Sequence, residues 1–381
     1  MRVILDASNI KAGGGLQVAL SFIYHINDLH MDMTDFYYML SPQVMKQLPV
    51  EVDNSKIVVV QTDIKTAIPF SSSSRVIRKF IRHVGPDVVF TLFGPSFWTC
   101  NGRHSHVMGF ANAWVVTPDT IAYKKLPYLN RLATRLKNFI LRKFLYEKSR
   151  FYITETRDIK EKMLSLMNIN ESKVSVVPNA LPYMYDDKFY SHDESLLGEY
   201  RLSSDRFNIV TIASNYPHKN LTIIADVAEI LFDYGYKVNF YVTMPETEYD
   251  KCSERFKSFT INLGVVPVEA CKQIYKSADL MFLPTLLECF SVSYLESMKC
   301  LTPICTTDFL FAREVCHNAA VYYEPSSAID AALKIRTLLD DVEEYYILKS
   351  RCSEVIEQHI TNEERSKLYL KELLKVQRDC F

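Results

Sequence analysis

Glu288 and Glu296, eight residues apart in the run LPTLLECFSVSYLESM, are two carboxylates suited to holding one polar ligand. Carboxylates accept hydrogen bonds from sugar or ribose hydroxyls, and this spacing lets each meet a different part of the same molecule. The run opens with the apolar stretch Leu280–Leu283, turns at Pro284 and continues as a helical pattern from Ser291 to Lys299. Glu288 then stands ahead of a helix start, where the amides of Phe290, Ser291 and Val292 lack intrahelical acceptors and favour an anion. Glu296 lies about 1.5 turns further along. The competing reading is one carboxylate near a helix start and another on a solvated face.

A cation has a matching place in SNYPHKNL, residues 214–221, which follows the apolar run Asn208–Ile212 and leads into another helix. Ser214 and Asn215 open that turn, and Lys219 closes it. The C-terminal ends of parallel strands gather at the ligand crevice of doubly wound sheets, so an ammonium there could meet a phosphate as a point charge. A solvated lysine at a helix start is the alternative. Three of the ten glycines are consecutive, Gly13, Gly14 and Gly15, between the first apolar run and a helix bearing Leu16, Leu20, Ile23 and Ile26. Amides free of side chains at a helix start suit an anion; since the run is neither GxGxxG nor GxxxxGK[ST], a plain tight turn is the other reading. Asn112 follows the run Val107–Phe110 and can face a ligand, whereas His104 and His106 begin that strand, at the wrong end of a sheet for ligands, and read as structural. With no HExxH, no Asp-x-Asp and no nucleophile-elbow serine, neither metal chemistry nor acyl transfer has candidates.

These residues need a scaffold, and its strands are legible. Short apolar runs alternate with helical patterns, the signature of parallel sheets with crossover helices. The first half holds Val3–Leu5, Phe36–Leu40, Ile57–Val60, Val88–Leu92, Val107–Phe110, Phe151–Ile153 and Val174–Val177. The second holds Asn208–Ile212, Lys237–Val242, Thr260–Leu263, Leu280–Leu283, Pro303–Cys305 and Ala320–Tyr322. Residues 178–206, with Pro178, Pro182 and clustered Tyr and Asp, read as an interdomain linker. The expected fold is α/β, with a Rossmann-like domain over 1–180, a second over 181–360 and a terminal helical segment over 361–381.

The 381 residues, 48% hydrophobic and 23% charged, describe an ordinary folded chain. A net charge of −1 gives no reason to expect nucleic acid. The charge is divided unevenly: residues 1–150 carry 19 basic and 10 acidic residues, and the remainder 25 and 35. From Lys124 to Arg150 nine basic residues and one acidic one, Glu147, are interleaved with Leu126, Leu129, Leu132, Leu136, Phe139, Ile140 and Phe144. A basic amphipathic helix is expected there, and Arg75, Arg78, Lys79 and Arg82 form a second basic cluster. Both would attract an anionic leaflet; a solvated face is the alternative. Nine cysteines without a CxxC pair, and an amino terminus without a signal-peptide core, point to the cytoplasm. The longest charge-free apolar region, Val88–Cys100, is too short to span a bilayer, so any membrane contact is expected to be peripheral.

Taken in order, these motifs resemble glycosyltransferase family 4, the glycosyl transferases group 1, with the GT-B architecture. The resemblance covers nearly the whole chain and is carried by GGGLQVAL, TETRDIKEKM with VVPNA, YPHKN, LGVVPVEACKQIYKSADLMFLPT and ECFSVSYLE; Pro178 and Asn179 match the family's signature at the domain junction. It implies two Rossmann-like domains with a cleft between them and a C-terminal helix returning to the first domain. It further implies a nucleotide sugar held mainly by the second domain and a retained anomeric bond, with no cofactor. Glu288 then matches the glutamate on the transferred sugar, Glu296 the one on the ribose, and Lys219 the lysine on the diphosphate, with the glycine loop near the donor phosphates or the acceptor's entry. Four positions depart from the pattern. Ser214 stands where the family commonly has an arginine, Cys289 and Ser291 where glycines are frequent, and Asn112 nearest the place of a usual histidine.

The expectation is a metal-independent, retaining hexosyltransferase of surface polysaccharide or O-antigen biosynthesis. It would act on a lipid-linked glycan acceptor, as a peripheral protein on the inner face of the plasma membrane. The rivals are another GT-B enzyme, such as a nucleotide-sugar epimerase or a phosphorylase, and a non-catalytic nucleotide-sugar-binding partner subunit, for which the Ser214 departure leaves room.

Overall fold

The computed structural model describes residues 1–28, 34–63, 71–98, 104–146, 149, 151–185 and 200–378. Cys100, Glu147, Lys148, Arg150 and residues 186–199 of the expected linker lie outside the described residues. Two compact units emerge: Met1–Pro118 with Ala133–Tyr183 and Ile360–Phe381, and Asp119–Leu132 with Met184–His359.

In the first unit, seven parallel strands form one sheet: β1 (Arg2–Ala7), β2 (Asp35–Leu40), β3 (Ile57–Val59), β4 (Val88–Thr91), β5 (Ser105–Phe110), β6 (Phe151–Thr154) and β7 (Val174–Val176). Their order is β3-β2-β1-β4-β5-β6-β7. Strands covered on both faces have no solvated side, which is why they appear in the sequence as unbroken apolar runs and not as alternating ones. One face of the sheet packs under the helices Gly14–Asp28 and Asn362–Arg378. There the ring of Tyr369 stands edge-on to Phe22 at 5.2 Å, and Phe22 to Phe90 at 6.1 Å. The helix Asn362–Arg378 therefore belongs to the first unit although it ends the chain. The other face buries Ile4, Met39 and Val89 against Ile77 of the helix Ser72–Val84.

That second face also holds a buried polar cluster. The hydroxyls of Ser8 and Thr91 and the indole Nε1 of Trp98 donate to the Asp6 carboxylate, and Thr91 Oγ1 lies 2.9 Å from His106 Nε2. Burial pushes His106 down to about 3, so its ring is neutral at ordinary pH, in keeping with a structural role. Nearby, Gly109 of β5 has no room for a side chain: a Cβ would stand 1.8 Å from the Leu92 carbonyl oxygen.

The second unit contains six parallel strands: β8 (Phe207–Thr211), β9 (Val238–Val242), β10 (Thr260–Asn262), β11 (Leu280–Leu283), β12 (Ile304–Thr307) and β13 (Ala320–Tyr323). Their order is β10-β9-β8-β11-β12-β13. All thirteen apolar runs read from the sequence are strands.

Two expectations need correction. Residues 119–132 group with the second unit, not with the first as a boundary near 180 requires. They contribute no strand to the first sheet, and their short helix Ile121–Lys125, with Ala122 and Tyr123 buried, packs against the turn Pro217–Lys219. The basic run is also not one helix. Pro127 separates Ile121–Lys125 from the helix Tyr128–Leu141, which continues as a wider π turn over Arg142–Tyr146. A proline lacks the amide an interior helical position must donate, and it disfavours helical backbone in the residue before it.

Candidate functional site

In the second sheet the chain runs outward from β8 in both directions, to β9 and β10 on one side and to β11, β12 and β13 on the other. The loops after β8 and β11 consequently leave neighbouring strands at the point where the winding reverses, which is where doubly wound sheets open a crevice at their C-terminal edge. These are the two loops that carry Lys219 and Glu288. Hydrogen bonds join them directly: Leu286 N donates to the His218 carbonyl at 2.7 Å, and Lys219 Nζ lies 2.5 Å from Glu288 Oε1. The two side chains are only 15% and 11% exposed, so Lys219 is not a solvated lysine at a helix start.

Thr285, fully buried, donates its hydroxyl to the same Oε1 of Glu288 at 2.7 Å. Both donors converge on one oxygen, and Oε2 accepts no hydrogen bond among the described residues. A carboxylate held in this way has a fixed orientation and a free lone-pair side for a ligand hydroxyl. Just beyond it, Ser291 caps the helix Val292–Lys299 without a side-chain cap bond. The amides of Phe290, Ser291 and Val292 make no hydrogen bond among the described residues, which leaves three donors at the positive end of a helix.

Glu296 is 8% exposed, which rules out the solvated face. Its carboxylate makes no hydrogen bond among the described residues, and burial raises it to about 7. Its charge acts on Tyr185, Tyr275, Cys271 and Cys300, and so locates it beside these groups. Among the described residues no hydrogen bond or ion pair joins Glu296 to Glu288.

Ser214 and Asn215 are exposed, and Tyr216 N donates to the Ser214 carbonyl at 2.8 Å to form the tight start of the turn. The turn ends at Asn220, whose backbone is left-handed at φ 54°. In the first unit, Gly13 is also left-handed, at φ 71°, and opens the helix Gly14–Asp28; no atom lies within 4 Å of where a Cβ of Gly13 or Gly14 would stand. Asn112 caps the short helix Ala113–Val116 beyond β5, with no side-chain cap bond. The second unit thus brings Lys219 and Glu288 into contact. The glycine run and Asn112 occupy strand ends of the first.

Sequence reasoning missed Thr285 and the pairing of His218 with Tyr216, whose rings stack at 5.6 Å. Thr285 had a usable signal, a hydroxyl residue directly between Pro284 and the run leading to Glu288. Burial lowers the His218 imidazole to about 4, so it adds no positive charge beside Lys219 at neutral pH. Among the described residues no group of three or more His, Cys, Asp or Glu is placed to hold a metal ion.

Residues 200–355 match the family described as glycosyl transferases group 1. That match falls within the second unit. The chain is 27% identical over 161 residues to an uncharacterized glycosyltransferase of Methanocaldococcus jannaschii, a match covering 40% of each protein. Among solved structures, a glycosyltransferase from Rickettsia africae superposes with a TM-score of 0.71 over 98% of both chains at 13% identity. Anabaena HepE in complex with UDP and glucose superposes at 0.66 over 98% of this chain and 100% of its own, at 14% identity. At such identities the likeness establishes the fold: two Rossmann-like, GT-B-type domains. No helix among the described residues is long and apolar enough to cross a membrane.

Proposed function

We propose that this protein is a metal-independent, retaining glycosyltransferase. It moves a hexose-type sugar from a nucleoside-diphosphate sugar to a hydroxyl of a lipid-linked glycan, in the building of a surface polysaccharide or O-antigen. The observation that carries this reading is the Lys219–Glu288 pair at the winding reversal of the second sheet, beside three unpartnered helix-start amides. Transfer of this kind builds negative charge on the departing diphosphate, and a lysine with fixed amide donors stabilises that charge where it develops. Glu288, oriented by Thr285, holds the sugar's hydroxyls through its open oxygen. The acceptor oxygen bonds to the anomeric carbon on the face that the diphosphate leaves, and the acceptor's proton passes to a leaving phosphate oxygen. No protein nucleophile is required. HepE's complex with UDP and glucose makes a uridine diphosphate sugar the first donor to try.

The acceptor side of the proposal rests on the helix Tyr128–Leu141 and its continuation to Tyr146. Tyr128, Leu129, Leu132, Leu136, Phe139, Ile140 and Phe144 are 42% to 76% exposed there, alongside Arg131, Arg135, Lys137, Arg142 and Lys143. An apolar stripe between cationic side chains is the composition of a helix lying in an anionic membrane interface. This stripe supports reading the protein as a peripheral one, on the inner face of the plasma membrane in our proposal.

The test is the melting temperature of the purified protein with UDP, GDP, dTDP and their sugars. A ligand at 100 times its Kd should stabilise by about 2.7 kcal/mol. The shift should appear with one nucleotide family and vanish in Lys219→Ala. Transfer should be lost in Glu288→Ala and should survive EDTA. Absence of any shift overturns the donor site. A shift without turnover on any lipid acceptor would favour the non-catalytic partner subunit, the reading that Ser214 keeps open.

A further inference from the structure

The turn that would hold the donor's phosphates is short of positive charge. Lys219, its ammonium, is already neutralised by Glu288 at 2.5 Å before any ligand arrives. Ser214, five residues earlier, is exposed and neutral, and His218 is uncharged at neutral pH. A nucleoside diphosphate carries about two to three negative charges, which helix-start amides match only with partial ones.

The chain brings further cations to this turn from far upstream. The short helix Ile121–Lys125 belongs to the second unit and packs against Pro217–Lys219. It is firmly held: Ala122 and Tyr123 are buried, Ala122 N donates to Thr120 Oγ1, and Leu126 N donates to the Tyr123 carbonyl at 3.1 Å. Lys124 and Lys125, its last two residues, are exposed. Rooted backbone with exposed cationic ends is what a diphosphate entering from solvent can recruit.

We propose that Lys124 and Lys125 supply the positive charge for the donor's diphosphate that Ser214 does not, a role that rests on the second unit's being the nucleotide-sugar site. They act as positioning residues for the diphosphate, and this separates them from the basic residues that follow on the apolar-striped helix after Pro127.

The experiment is equilibrium titration of the full-length protein with UDP, GDP and dTDP, and with the corresponding nucleosides, in the absence of membranes. For the diphosphate that binds, Lys124→Ala/Lys125→Ala should weaken affinity about tenfold and flatten its salt dependence, while nucleoside binding stays unchanged. Adding Ser214→Arg to that double variant should restore most of the loss, because an arginine at 214 returns the missing charge by another route. Both lysines are exposed, so their removal should leave the melting temperature in place. Diphosphate affinity unchanged in the double variant overturns this proposal alone, provided that Lys219→Ala still weakens binding. Binding of no nucleotide by the wild type overturns the donor-site reading and this proposal with it.

Discussion

Glu296 is the clearest case of environment setting a residue's chemistry. Its carboxyl is moved from 4.5 to about 7 by burial alone. A folded state that holds the proton more tightly than the unfolded chain is favoured at low pH, so this contribution is fully present below about 4.5 and is lost as pH rises through about 7. At about 1.4 kcal/mol per pKa unit the loss is on the order of 3 kcal/mol. Glu296→Gln should therefore flatten the fall in melting temperature between pH 5 and 8, measured in parallel with the wild type. If Glu296 takes up ribose hydroxyls as an anion, nucleoside affinity should also rise over the same interval, and only in the wild type. Thr285 makes a second prediction at this scale. Thr285→Val keeps the shape but removes the hydroxyl that orients Glu288, so kcat/KM for transfer should fall roughly tenfold, as expected for one hydrogen bond to a charged group. The Kd for the nucleotide alone, read by titration, should not change.

At the scale of elements, the helix Tyr128–Leu141 has a composition that packing does not account for. Its apolar residues recur at three- and four-residue steps as a buried stripe would, yet they are exposed. Binding to vesicles of anionic lipid should therefore have two separable parts. Raising salt from about 0.1 M to 1 M shortens the Debye length from roughly 10 Å to 3 Å and should remove the cationic part. Leu136→Ser with Phe139→Ser should remove the apolar part at either salt, as followed by vesicle sedimentation. Failure of the protein to sediment with vesicles at low salt would refute the interfacial role of this helix. The glycine run operates at this scale too: Gly13 opens its helix from a left-handed φ of 71°, which a residue with a side chain reaches only at a cost.

Across the whole molecule, the last helix returns to the first unit and is tied there by Arg365. This guanidinium is 1% exposed, and its Nη1 donates to Asn179 Oδ1 at 2.5 Å, a contact between residues 186 positions apart. Nε and Nη2 find no partner among the described residues, and burial lowers the group's pKa. Stripping one partner from a buried charge is more damaging than replacing the charge by an apolar side chain of similar volume. Asn179→Ala should thus cost about 3 kcal/mol, and Arg365→Met clearly less, compared by urea midpoints. The opposite ranking would mean that the guanidinium contributes net stability of its own.

The amino-acid sequence by itself determined the elements: thirteen apolar runs became thirteen strands, because strands covered on both faces are continuous in hydrophobicity and need no distant partner to be recognised. It also contained the candidate site's residues, since a lysine after one strand and a glutamate after another lie at ligand-facing ends in any doubly wound sheet. Their contact was a different matter. Lys219 and Glu288 are 69 residues apart, and only the placement of β11 beside β8 brings their loops together. The assignment of residues 119–132 to the second unit, the tie of Arg365 to Asn179 and the protonation of Glu296 were equally settled by tertiary structure. Each depends on which distant surfaces exclude water from one another, and local periodicity carries no record of that.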